Sequence, residues 1–161
     1  MEINEIKNVI LNIQDIMELI PHRAPFILID KVTLVSSIEA IGIKNVTINE
    51  SFFPGHFPGN PIVPGVIILE SIAQVAGILT SYYIKNNSHD LEDDKYDVYF
   101  TSVECANFRI PVIPGDRMAI EVKILATRGV LRKFVSCVKV EEKIVANAKF
   151  TAAMIKRQRV I

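Results

Sequence analysis

The stretch VIILESIAQVAGILTSYY, residues 66–83, decides the fold. It has no proline, its only glycine is Gly77 and its only charge is Glu70. A run of this length without breakers reads as a helix, roughly 27 Å long if every residue is helical. A helix that is apolar on nearly every side has to be buried. A membrane span is the competing assignment. It is disfavoured by Glu70 and Gln74 near the middle and by the lack of basic residues ahead of the stretch. Glu70, Gln74, Gly77 and Ser81 fall at i, i+4, i+7 and i+11, within a stripe about 60° wide. A solvated face would carry several charges. A narrow polar-lined channel fits better, with Gly77 and Ser81 small enough to admit a ligand's chain.

Working outward, the segment just before this helix is SFFPGHFPGNPIVPG, residues 51–65. Four prolines and three glycines in fifteen residues exclude regular structure there. Further upstream, Ile13, Ile16, Met17 and Ile20 have helical spacing, stopped by Pro21. Residues 26–29 and 32–35 read as a strand, and residues 38–48 as its partner. Downstream, residues 85–95 are polar and acidic, a loop in which His89 is expected to be solvated. Four strand candidates follow. The first covers residues 96–109. Met118 to Ala126, Phe134 to Val140 and Ile144 to Met154 make the others, and period two across the four segments is the mark of a sheet with one buried face. Gly129 and the Glu141-Glu142-Lys143 segment mark tight reversals between them. The expected architecture is α+β, an antiparallel sheet curled around one long buried helix.

A chain of 161 residues fits one domain, residues 1–161, able to bury about 68–70% of its unfolded surface without metal or disulfide. Its 50% apolar content points to an apolar surface beyond the core, such as a subunit interface. Net charge is zero, which argues against nucleic acid as a partner. Lys156, Arg157 and Arg159 form a short basic run, read as a solvated tail or as a docking point for an acidic partner. Cys105 and Cys137 lack metal-ligand spacing and read as small core residues in a reducing compartment. The N-terminal residues do not form a signal peptide, so a cytoplasmic location is expected.

Glu70 is the single acid in an apolar helix. A desolvated carboxyl group holds its proton more readily, which suits a general acid. A structural carboxylate paired with Arg or Lys would look the same from the helix alone. His56 adds weight to the chemical reading. A lone histidine is commonly structural. This one is flanked by Gly55 and Phe57, with Pro54 and Pro58 outside them, in a segment that can hold an imidazole in place. Pro64-Gly65 opens the helix, so the first backbone N–H groups lack internal partners and can stabilise an oxyanion. Gly65 permits close approach of a carbonyl. No further ligands accompany His56 and Glu70, so no metal and no cofactor is expected, and no Ser or Cys sits in a nucleophile elbow.

PHRAPFILIDK (residues 21–31), GHFPGNPIVPGVIILESIAQ (residues 55–74) and FRIPVIPGD (residues 108–116) resemble, in order and spacing, three motifs of one family. It is that of the 3-hydroxyacyl-[acyl-carrier-protein] dehydratases of bacterial-type fatty acid synthesis, FabZ type. The resemblance runs from about Ile16 to Met154. It implies a hot-dog fold and a homodimer, often further assembled as a trimer of dimers. It places His56 of one subunit beside Glu70 of the other as the acid–base pair. Tyr99 matches the aromatic that gates the substrate tunnel, and Gln74 and Gly77 match positions lining the reaction centre. With Gly65 and Phe57 these form the expected substrate-binding set. Glu70, where the related dehydratase-isomerases carry Asp, implies a plain dehydratase. Two departures are Val63, where Met or Phe is usual, and Glu141-Glu142, which replaces a glycine-containing turn.

The expected partner is acyl carrier protein bearing a phosphopantetheine-linked 3-hydroxyacyl chain, with Arg109, Lys133, Lys156 and Arg157 as docking candidates. His22 is expected to be structural and Arg23 to lie near the surface. In a one-base variant of the chemistry, His56 handles both protons and Glu70 only orients water. A hot-dog acyl thioesterase and a non-catalytic acyl-binding module are the rival functions.

Overall fold

In a computed structural model of the chain, residues 8–87 and 96–156 are described. His89 and Arg157 lie outside them. The elements are β1 (Val9–Leu11), α1 (Ile13–Leu19), β2 (Lys31–Ser36), β3 (Glu39–Asn45), α2 (Gly65–Asn87), β4 (Tyr96–Phe108), β5 (Arg117–Arg128), β6 (Leu131–Val140) and β7 (Lys143–Lys156). The strands form one sheet in the order β1-β2-β3-β5-β6-β7-β4, and every pairing is antiparallel.

The helix decided from residues 66–83 is α2, one residue longer at the front and a turn longer at the back. All residues from Ser71 to Ser81 are buried. It is long and apolar enough to cross a membrane, and most of that stretch is buried inside the molecule. The hydroxyls of Ser71 and Thr80 donate to the carbonyls of Ile67 and Ala76 one turn back, which satisfies them within the helix.

The sheet receives α2 on a face built from alternate residues. Gly42, Ile120, Val138, Ala146 and Phe108 form one transverse row by register, and Ala40, Val122, Ser136 and Ala148 form the next. Small residues recur where the helix passes. A Cβ on Gly42 would lie 2.2 Å from Val75 Cγ2, so β3 can approach the helix this closely only with glycine there. Register shifts in β2, β4, β5 and β7 mark bulges that let the sheet curl around α2.

Several local expectations change. Residues 26–29 are not a strand. Their backbone leaves the sheet to meet α2, where Leu28 N–H donates to Gln74 Oε1 at 2.9 Å. The three-residue strand β1 had no period-two signal to reveal it. Cys105 is exposed on the edge strand β4 and Cys137 is partly exposed on the outer sheet face, so neither is a core residue. The turn Glu141-Glu142 has positive φ at both positions, 47° and 65°, the geometry of a two-residue hairpin normally given to Asn-Gly.

β4 departs most from the pattern. Its thirteen residues form an edge of the sheet, and none of them is fully buried. A strand with one buried face was expected; this one has none. Tyr99, Phe100, Val103 and Phe108 stand exposed along it.

Candidate active site

The Pro/Gly-rich segment folds into consecutive turns that lock His56. Its N–H donates to Phe52 O, and its carbonyl accepts from Ile62 N–H at 3.0 Å. The ring is tied to the same residue, with Nδ1 2.7 Å from Ile62 O. A carbonyl oxygen can only accept, so Nδ1 carries the hydrogen. Neutral imidazole then has its lone pair on Nε2, the tautomer a general base requires. Phe57 stacks on the ring at 4.1 Å between centroids. Val63 N–H donates to Val112 O, which fastens the segment to the FRIPVIPGD stretch.

His56 opens on a cavity of about 420 Å³ shared with Gly65, Ile68, Phe108, Arg109 and Pro111. Pro64 O accepts from the N–H groups of Ile67 and Ile68, so those of Gly65 and Val66 are the ones left over at the helix start. Glycine also suits this position because a Cβ would come within 3.1 Å of the Phe108 ring, a tight contact.

Glu70 opens on a different cavity, of about 180 Å³, lined by Ile20, His22, Phe26, Gln74, Gly77 and Phe100 among others. Its side chain is 21% exposed. Gln74 is buried and holds it, donating from Nε2 to Glu70 Oε1 at 3.0 Å and to Phe26 O at 2.8 Å. Of the four-residue stripe, Glu70, Gln74 and Gly77 meet in this cavity. Ser81 is buried but does not line it, and its hydroxyl has no partner among the described residues.

One chain therefore does not bring His56 and Glu70 together. The two cavities share no lining residue. Ile68 faces one and Glu70 the other, about 200° apart around the helix. Tyr99 is 55% exposed on β4 and lines neither.

His22, expected to be structural, lies beside Glu70. Its Nε2 lies 3.2 Å from Glu70 Oε1, inside the same cavity. The signal that singled out His56, a histidine fixed among prolines, also marked His22 between Pro21 and Pro25. Arg23 is exposed as expected, with its guanidinium donating to the carbonyls of Met17, Ile20 and His22. Among the docking candidates, Arg109 sits on the rim of the His56 cavity, whereas Lys133 is held by Glu104 at 2.5 Å.

The FabA-like domain family matches residues 20–149. A 3-hydroxyacyl-[acyl-carrier-protein] dehydratase FabZ of Ehrlichia canis (strain Jake) is 48% identical over 147 residues, 91% of this chain and 96% of that protein. A protein of the same name from Bartonella bacilliformis is 42% identical over 154 residues, 94% of this chain and 96% of the relative. The chain belongs to the FabZ-type dehydratase family. As a FabZ-type dehydratase it is a hydro-lyase, which sets aside the thioesterase and binding-module readings. Its fold is the hot-dog fold, as in the dehydratase heterocomplex ApeI:P from Xenorhabdus doucetiae. That structure has a TM-score of 0.73 at 15% identity, covering 89% of this chain and 91% of that one. The protein PH1136 from Pyrococcus horikoshii shares the fold more distantly, with a TM-score of 0.57 at 18% identity over 86% of this chain and 92% of that one.

Proposed function

We propose that this FabZ-type chain removes water from (3R)-hydroxyacyl thioesters of acyl carrier protein at two equivalent sites of a homodimer. Each site takes His56 from one subunit and Glu70 from the other. The observation that carries this reading is the edge strand. Val98 and Phe100, towards one end of β4, line the Glu70 cavity, and Phe108, at the other end, lines the His56 cavity. Antiparallel pairing of two β4 strands about a two-fold near Ser102 reverses those ends. The His56 cavity of each subunit then abuts the Glu70 cavity of the other. The pairing also covers an edge that would otherwise expose backbone and apolar side chains.

The chemistry follows from the groups present. The thioester carbonyl accepts from the Gly65 N–H at the positive end of α2. His56 Nε2 removes a proton from C2, and charge gathers on the carbonyl oxygen. Glu70, steadied by Gln74, gives its proton to the departing 3-hydroxyl, leaving a trans-2-enoyl thioester and water. Phe57 and Tyr99 flank the path of the pantetheine arm, and the acyl chain runs past Gly77. Arg109, free of any described ion pair on the cavity rim, meets the acidic carrier protein together with Lys156 and Arg157. The dimers assemble as a trimer, and the one-domain protein works in the cytoplasm without metal, cofactor or membrane span.

His56→Ala and Glu70→Gln test the pair through hydration of a crotonyl thioester, the reverse reaction. Each should lose about 10²–10⁴-fold in kcat. Wild-type turnover in either variant would overturn the assignment.

A further inference from the structure

We infer that His22 is a positioning residue for Glu70, confining the acidic proton to the one carboxyl oxygen that His22 and Gln74 leave free. The inference rests on Glu70 being the acid. Oε1 of Glu70 receives two side chains, Gln74 Nε2 at 3.0 Å and His22 Nε2 at 3.2 Å. The direction of the first contact is set from outside the pair. Leu28 N–H donates to Gln74 Oε1 and Gln74 Nε2 donates to Phe26 O, so the amide cannot be turned around. The remaining hydrogen of Nε2 must point at Glu70, and Oε1 must accept it.

The second contact follows from the surroundings of the imidazole. His22 Nδ1 is buried and has no partner among the described residues. A neutral ring with its hydrogen on Nε2 leaves only a lone pair at that site. An imidazolium, or the other tautomer, would leave a buried N–H with nothing to accept it, which is rare and costly. His22 Nε2 therefore donates to Oε1. Two donors occupy both lone pairs of that oxygen, and the proton of the acid resides on Oε2. The same two donors strengthen once the carboxyl group has given up its proton, because a charged acceptor binds them more tightly. His22 thus aims the proton before transfer and stabilises the carboxylate after it. Phe26 stacks on the ring at 6.1 Å, and the guanidinium of neighbouring Arg23 is engaged by backbone carbonyls and does not compete for Glu70.

The test compares wild type with His22→Phe, His22→Gln, His22→Asn and Glu70→Gln, as full-length chains. The readouts are kcat and KM for hydration of a crotonyl thioester on carrier protein, with the melting temperature of each. Phe keeps the ring shape and the stacking but has no donor. It should lower kcat about tenfold, or ~1.4 kcal/mol, at a KM within about twofold of wild type. Gln carries an amide nitrogen with the reach of His Nε2 and should recover most of kcat; Asn falls short and should not. If the Phe variant does not fold, the Gln and Asn contrast decides alone. Wild-type kcat in His22→Phe, or equal kcat in Gln and Asn, overturns the inference. Should Glu70→Gln itself keep wild-type kcat, the acid reading fails instead. An inactive Glu70→Gln beside a fully active His22→Phe rejects only the role of His22.

Discussion

Consider His56→Ala and Glu70→Gln placed in the two subunits of one dimer, each carrying a different affinity tag. If every site takes its histidine from one subunit and its carboxyl from the other, one site of this mixed dimer has both native groups and the other has neither. Dimers purified through both tags should then turn over at about half the wild-type rate per dimer. Each parent variant is expected to be at least about 10²-fold impaired, so the recovered rate stands some fiftyfold above background. Placing both substitutions in one subunit, opposite a wild-type partner, gives the complementary result. Each site then lacks one member of the pair, and the dimer should be as inactive as the parents. The geometry behind this is the separation of Ile68 and Glu70 to opposite flanks of α2, with their cavities sharing no residue. Sites complete within one chain reverse both outcomes: the first mixture is inactive and the second half-active. Hydration of a crotonyl thioester measures both, and that reversal would refute the cross-dimer site.

Gly42→Ala puts a methyl 2.2 Å from Val75 Cγ2 and should cost about 1–3 kcal/mol, lowering Tm by roughly 2–12 °C. Adding Val75→Ala should return part of the loss, and strictly additive losses in thermal denaturation would contradict the contact. Glu142→Gly relieves a positive φ of 65° and should stabilise by about 1 kcal/mol; an unchanged or lower Tm counts against strain in that turn. Burial, with the charge of Glu121 added, raises the Cys137 thiol above the ordinary range. In a Cys105→Ser background its alkylation should be slow at neutral pH and accelerate only above the pH at which a free cysteine does. Reaction at the free-cysteine rate at pH 7 would show the thiol to be unperturbed.

Much of the fold could be read because the deciding signals are local. Residues 66–83 lack breakers and charge, and only a buried helix accommodates that. Alternation in β5, β6 and β7 reports a face packed against α2, and Gly129 together with the Glu141-Glu142-Lys143 segment placed the reversals. The errors share a physical cause. FILI, residues 26–29, looks like a strand because it is apolar and branched, but its backbone partner is the side chain of Gln74, 46 residues from Leu28. No local pattern can announce a hydrogen-bond partner that distant. The contact of His22 with Glu70, 48 positions on, was out of reach for the same reason.

The strand β4 exposes a more general limit. Reading alternation as one buried face assumes that the burying surface lies in the same chain. In β4 the apolar residues are real, yet the single chain covers none of them fully. Tyr99, Phe100, Val103 and Phe108 stand out along a sheet edge whose two ends border the cavities of Glu70 and of His56. A thirteen-residue edge strand with large apolar side chains exposed along it is a hazard for a free monomer, because it invites pairing with other strands. The self-pairing proposed above would remove the hazard and leave no free edge at that end of the sheet. In the dimer proposed above, that pairing would seal the strand and, by the same two-fold, carry His56 of one subunit to Glu70 of the other, so one strand would serve both the solubility of the chain and the assembly of its site.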